Sequence, residues 1–229
     1  MAKSDNPTPH SAEVYDVQVR KIIPCYNAFH DETINLIKAI HNEPKKWLDT
    51  GCGTGTLVRR ALSQFPKTHF ILADPSKEML NTARRKLENV ASGRVQFLEP
   101  ITTQGLPRNL ASLDVITAVQ SHHYISAKER IKATAVCFEL LKQRGVYVTF
   151  ENIRPLTNEG ITIGKEIWKN FQLSQGRDST TVERHLERFD VEYYPITIEE
   201  HLSILRKTGF STVEMLWYSY MQAGFYAIK

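Results

Sequence analysis

Cysteine is scarce in this chain of 229 residues, where Cys25, Cys52 and Cys137 are the only three and lie far apart. An odd, scattered set builds neither a disulfide framework nor a zinc knuckle, and it implies a reducing, cytoplasmic setting. Long apolar runs are missing too. No stretch approaches the roughly 20 apolar residues of a membrane span, and Met1 to Asn6 leads into no apolar leader segment, so a soluble protein with no membrane partner is expected. Charge of one sign is not in excess: 29 Lys and Arg stand against 25 Asp and Glu, a net +4. The densest basic groups, Arg84-Arg85-Lys86 and Lys142 to Arg144, fall in helix-like stretches with acids nearby. They read as solvated faces rather than a nucleic-acid stripe, although RNA stays open as a partner. C-x2-C and H-E-x2-H spacings are absent, so His122, His123, Glu151, His185 and His201, ligand types that a fold could gather, are assigned no metal.

What is present describes an ordinary globular chain, 41% hydrophobic and 24% charged. Its length suits one core with an elaboration. Residues 1–11, polar with two prolines, are expected to be a flexible tail without a function, and 12–229 a single domain in monomer or homodimer form. A helical stretch through Asp16 and Arg20 should end at Pro24. Asp31 is expected to cap a helix that buries Ile34, Ile37 and Ile40. Lys46 to Thr50 then reads as a strand end running into Gly51-Cys52-Gly53-Thr54-Gly55 and a helix with Leu57, Val58, Ala61 and Leu62 on one side.

Missing Cβ atoms let such a loop turn tightly or approach a ligand, and the helix beyond it offers unpaired N–H groups. His69 to Ala73 is the next apolar strand. It ends at Asp74, about twenty residues past the glycines, where a nucleoside-binding fold sets a carboxylate for ribose hydroxyls. Ser76 should open a helix with Met79, Ala83, Leu87 and Val90 inward. Strands at Val95 to Leu98, Asp114 to Val119 and Val146 to Phe150 follow, and Ile131, Ala135, Phe138 and Leu141 are the expected inner stripe of the helix between the last two. About 154–195 then breaks the alternation with polar helices and reads as a lid insertion. A helix over Ile198 to Lys207 follows, and two last strands, Thr212 to Tyr218 and Gly224 to Ile228, are joined too closely for a parallel crossover. They form an antiparallel hairpin. The fold class is α/β: a Rossmann-like sheet, mostly parallel, with helices on both faces.

An acid just before Gly51, Gly53 and Gly55, with Asp74 and the terminal hairpin, resembles the class I S-adenosylmethionine-dependent methyltransferases over about Tyr15 to Lys229. Dinucleotide dehydrogenases favour G-x-G-x-x-G, and Thr56 stands where that pattern has its third glycine. The resemblance implies S-adenosyl-L-methionine as cofactor and S-adenosyl-L-homocysteine as product. It implies that Asp49 helps hold the cofactor's amino group, that Gly51, Cys52, Gly53 and Gly55 pass its methionine part, and that Asp74 binds the ribose hydroxyls, with Pro75, Met79 and Gln120 in the same site. Many relatives carry an acid for the adenine amino group where Ile101 stands here. Backbone near Ile101, or Thr102 and Gln104, would replace it. The segments Tyr15-Asp16-x3-Arg20-x2-Ile23-Pro24-x-Tyr26 and Gly209-Phe210…Trp217-Tyr218…Ala223-Gly224-Phe225 are similar to a subgroup that includes the carboxymethyl-donor tRNA uridine modifiers, and by that similarity Arg20 and Tyr26 hold the methionine carboxylate.

With an activated sulfonium methyl, a protein chiefly positions a nucleophile, excludes water and removes a proton where needed. His123, His122 and Glu151 emerge from the carboxyl ends of neighbouring central strands and are expected to face the methyl as catalytic groups, one histidine serving as base. The alternative for each histidine is a strand-end hydrogen bond. Tyr15, Tyr124, Trp168 and Tyr194 are expected acceptor contacts. An Asn/Asp-Pro-Pro-Tyr/Phe signature is absent after the fourth strand, which counts against methylation of base amino groups. Methyl transfer to a small-molecule O, N or S nucleophile is the leading expectation. Its alternatives are a tRNA-modifying transferase using the same or a modified donor and a non-catalytic cofactor-binding regulator.

Overall fold

The computed structural model describes residues 5, 7–89 and 93–229. Seven strands, β1 (Lys46–Thr50), β2 (His69–Ala73), β3 (Val95–Phe97), β4 (Leu113–Val119), β5 (Leu141–Asn152), β6 (Thr212–Ser219) and β7 (Gln222–Ile228), form one sheet in the order β3-β2-β1-β4-β5-β7-β6. The first five run parallel. Only Tyr220 and Met221 separate β6 from β7, so the chain must double back, and β7 pairs antiparallel with both β5 and β6. The expected hairpin is present.

Helices α1 (Tyr15–Ile22), α2 (Tyr26–Ile40), α3 (Thr56–Ala61), α4 (Lys77–Leu87), α5 (Ala127–Leu140), α6 (Asn158–Ser174), α7 (Ser179–Glu187) and α8 (Ile198–Thr208) complete the described elements. Because side chains alternate along a strand, the sheet feeds two cores. Trp47, Phe70, Val115 and Phe150 enter one, and Leu48, Ile71, Ile116 and Tyr147 the other. Continuous apolar strands are what burial on both faces demands.

Three expectations about elements are corrected. Helix α2 starts at Tyr26, not Asp31: Pro24 ends α1, Cys25 takes a left-handed φ of 55°, and that one residue re-aims the chain. Asp31 is an exposed mid-helix residue paired with Arg60. In α5 the buried stripe is Arg130, Ala133, Thr134, Val136, Cys137 and Leu140, whereas Ile131 is 52% exposed in a groove beside α8. The tail is tied down where it is described. Asp5 accepts from the Ser76 hydroxyl and the Lys77 N–H at the start of α4, where an anion suits the helix dipole, and Pro7 O accepts from Arg188. Ser76 caps α4 as expected, while Val90 lies outside the described residues.

The insertion leaves and rejoins the sheet at one place. Ile153 and Ile196 form a parallel bridge, and Arg154 N–H donates to Ile196 O at 2.9 Å. Between them α6 packs on α1 and α7 on α6, and the fully buried Trp168 of α6 donates from Nε1 to Ile22 O at 2.6 Å.

Candidate active site

The three glycines after β1 have left-handed φ values of 66°, 53° and 76°, and each serves a different end. A Cβ on Gly51 would overlap the Ser121 side chain, so that position lets the loop meet the segment leaving β4. A Cβ on Gly53 would meet nothing within 4 Å, and Gly53 borders a cavity. At Gly55 a Cβ would press to 3.2 Å on Ala83 and Leu87, so this glycine serves the packing of α3 on α4 and does not line the cavity. Cys52 N–H bonds to Ala73 O at 3.0 Å and Gly53 N–H to Asp74 Oδ2 at 2.9 Å, which fastens the loop to the end of β2.

The cavity beside this loop opens at the carboxyl ends of the parallel strands, where open α/β sheets bind ligands. Among the residues expected at a cofactor, it brings together Asp49, Gly51, Cys52, Gly53, Asp74, Pro75, Met79, Gln120 and Tyr26. Pro7, Thr8 and Ser121 also line it. Arg20 is exposed on α1 and is not on its wall; nor are Ile101, half-buried, and Thr102, exposed. The latter two turn away because Ile101 N–H is taken by Asp74 O at 3.0 Å and the chain then enters a 3-10 turn, Thr103–Gly105.

Two carboxyls give the cavity its electrostatics. Burial lifts Asp49 to about 7, against the hydroxyl of Thr117 that bonds it at 2.7 Å, and Asp74 adds repulsion. Burial likewise lifts Asp74 to about 6, against the N–H groups of Ser76 and Gly53. Two buried acids destabilised in their charged forms favour a cationic or hydroxyl-rich ligand.

A second, smaller chamber abuts the first across Tyr15, Gln120 and Tyr124. Its apolar wall is Val19, Ile22, Ile23, Trp168 and Tyr193, and its polar groups include His10, Asn152, His185 and Arg188. Of the expected acceptor contacts, Tyr15, Tyr124 and Trp168 line this chamber. Tyr194 is not: it is 43% exposed and its hydroxyl bonds Val191 O, while the neighbouring Tyr193 is 1% exposed and points inward. Adjacent residues on this extended stretch cannot both face in. His185 and Arg188, three apart at the end of α7, share an inward face that sequence reading passed over.

His122, His123 and Glu151 do not face either chamber, contrary to expectation. The 3-10 turn His122–Tyr124 carries both histidines back beneath the strand ends, leaving Ser121 and Tyr124 on the cavity wall. Glu151 Oε2 is 2.7 Å from His123 Nδ1 and also accepts the His123 N–H at 3.0 Å, while Oε1 accepts the His122 N–H and the Thr149 hydroxyl. Burial alone would raise this carboxyl, but its bond and charge interaction with His123 hold it at about 2. His122 is kept neutral, at about 4, chiefly by burial, and both its ring nitrogens are engaged, Nε2 with Thr103 and Nδ1 with Tyr147. The three residues brace the turn.

Comparison with known proteins follows this geometry. A family model described as a methyltransferase domain matches residues 48–147, the stretch from the glycine loop through β5. A carboxy-S-adenosyl-L-methionine synthase of Trichodesmium erythraeum is 26% identical over 95% of this chain and 85% of its own length. Among solved structures, the plantazolicin methyltransferase BpumL, in complex with a triazolic desmethylPZN analog and SAH, is similar with a TM-score of 0.70 at 14% identity, covering 95% of this chain and 89% of that one. Magnesium protoporphyrin IX methyltransferase from Synechocystis, also with bound S-adenosylhomocysteine, is similar with a TM-score of 0.66 at 18% identity, covering 92% and 86%. The last two show shared fold.

Proposed function

We propose that this chain, whose residues 48–147 match a methyltransferase domain, is an S-adenosylmethionine-dependent methyltransferase, that the larger chamber takes the donor and that a small-molecule O, N or S nucleophile in the smaller chamber receives its methyl group. The observation that carries this is the pair of chambers meeting at Tyr15, Gln120 and Tyr124, with the two buried acids confined to the larger one. When bound, the donor supplies a sulfonium methyl activated for in-line attack. Asp49 would take its ammonium group, the backbone from Gly51 to Gly53 its methionine chain, and Asp74 its ribose diol, with Pro75 and Met79 flanking the base. The lid and α1 exclude water from the smaller chamber.

His122 and His123 are left out of proton transfer because hydrogen bonds and burial hold them away from both chambers. Within the smaller chamber His185 is held neutral, at about 3, by burial and by Arg177 and Arg188. So weak a base suits an acceptor that is already nucleophilic. Saturable calorimetric binding of S-adenosyl-L-methionine and S-adenosyl-L-homocysteine, with labelled methyl passing into a metabolite extract and not into bulk tRNA, is the expected result. No binding of either compound sinks the proposal; binding without transfer to any acceptor leaves a regulator.

Donor affinity should depend on pH through the two raised carboxyls. A cationic ligand binds their ionised forms, so uptake releases protons, and affinity rises with pH until Asp49 is ionised above about 7. Since each pH unit below a pKa costs up to about tenfold, affinity should fall from pH 8 to pH 5 by up to about 100-fold through Asp49 and up to about 10-fold more through Asp74. Calorimetry in buffers of different ionisation enthalpy reads both effects; a flat profile with no proton release opposes the assignment.

Modification of the donor itself is a second reading, favoured by the nearly end-to-end match to a protein named as a carboxy-S-adenosyl-L-methionine synthase. It needs a cation for a carboxylate in the smaller chamber. Arg188 lines that chamber, but its Nε is bonded to Glu192 at 2.6 Å and its Nη2 to Pro7 O at 2.7 Å. Mass spectrometry of the donor after incubation with small carboxylic acids separates the readings: a donor gaining a carboxylate, without methyl transfer, favours the second.

A further inference from the structure

We propose that Gln120 orients the acceptor, and that the acceptor class it selects is an uncharged planar ring presenting a hydrogen-bond donor beside an acceptor, as a lactam does. The inference rests on the two-chamber reading above and names its substrate class.

Gln120 is the residue directly after β4, on the wall that the two chambers share. Its side chain is 7% exposed, and both Oε1 and Nε2 are buried without a hydrogen-bond partner. Buried polar atoms are nearly always paired, so an amide with both ends free marks a place where something else completes the bonding. The backbone points the same way. Gln120 has a φ of 54°, fixed by an N–H bond to Phe150 O at 2.6 Å, a conformation that favours glycine. A side chain is therefore carried here at a conformational cost and then left without a protein partner.

A primary amide holds one carbonyl and one NH2 side by side in a plane, which matches a neighbouring donor and acceptor on a ligand edge. In the proposed pose the donor's ammonium and diol are met by Asp49 and Asp74 and do not call on Gln120. Planarity follows from the aromatic walls of Tyr124, Trp168 and Tyr193. Neutrality follows from charge: among the described residues no Asp or Glu lines the smaller chamber, and its Arg188 is already paired with Glu192.

The probes are 2-pyridone as the lactam, and phenol and benzoate as rings of similar size that lack the paired edge or carry charge. Ligand-observed NMR titrations are run on the full chain with and without S-adenosyl-L-homocysteine. Wild type should bind 2-pyridone about 10-fold or more tighter than phenol or benzoate, the discrimination of one good bidentate pair. Gln120→Leu and Gln120→Gly should lose that preference, and Gln120→Glu should move it to 2-aminopyridine, which in its protonated form presents two donors. Gln120→Gly relieves the backbone and should melt no lower than wild type, which separates lost recognition from lost folding. Affinity for S-adenosyl-L-homocysteine, read in all three variants because Gln120 also lines the larger chamber, should fall by less than the lost 2-pyridone preference. Benzoate binding tightest, no 2-pyridone preference in wild type, or a preference that survives Gln120→Leu overturns the proposal. Lost product affinity in Gln120→Leu assigns the amide to the donor and also overturns it. Wild type that fails to bind S-adenosyl-L-homocysteine sinks the donor reading, while the titration without it still decides the role of Gln120.

Discussion

Asp74→Ala is expected to weaken S-adenosyl-L-methionine binding by at least about 100-fold, because two hydrogen bonds from a ribose diol to a charged carboxylate are worth about 3–6 kcal/mol together. The same carboxylate also receives the N–H groups of Gly53 and Ser76, at 2.9 and 2.8 Å. Its removal therefore loosens the glycine loop as well as the diol site, and the two effects act on one measurement in the same direction. Asp74→Asn keeps an acceptor for one N–H and should fall between alanine and wild type. Isothermal titration with a melting curve on each variant tests this. A folded Asp74→Ala protein with wild-type donor affinity would remove Asp74 from the donor site.

The second large effect concerns folding rather than binding. Glu151→Ala should destabilise the protein by about 3–5 kcal/mol, the cost of leaving several buried hydrogen-bonding partners of one carboxylate unsatisfied at once. For a chain of this size that lowers the melting temperature by about 6–20 °C. The carboxylate is fully buried and serves two backbone N–H groups, a hydroxyl and the His123 ring, all left unsatisfied in alanine. Its pKa is depressed from 4.5 to about 2, so its contribution is present above pH 4.5 and is lost as pH falls through about 2. A catalytic Glu151 predicts the opposite pattern, an unchanged melting curve with a collapsed turnover. Glu151→Gln should show the smaller loss of stability that one retained carbonyl allows.

The parts of this fold legible in the sequence are those fixed by local chemistry. Three glycines at alternate positions, Asp49 before them and Asp74 at the next strand end are close in sequence to what they contact, and the two-residue joint at Tyr220-Met221 dictates an antiparallel ending. The gathering of these residues on one cavity wall is legible for that reason. Errors arose where a single dihedral decides direction. The left-handed Cys25 starts α2 one turn before Asp31, and the 3-10 turn after Ser121 rotates His122 and His123 out of the place their position on the strand suggested. Choosing Tyr194 over Tyr193 was the same kind of error, one residue out of phase. His10, His185 and Arg188 come together only through packing of the tail and α7 over α1, contacts that separate residues by most of the chain. No local signal carries that information.

The bridge between Ile153 and Ile196 has a consequence for how such an enzyme changes its substrate. A segment whose two ends already lie side by side can be exchanged for another without disturbing the strands on either side. The proposed donor recognition falls on the stretch from Asp49 to Met79, while Trp168, His185, Arg188 and Tyr193 belong to the exchangeable segment. Inheritance of the donor and diversification of the acceptor can thus proceed on separate parts of one gene, with α1 and Gln120 as the shared seam.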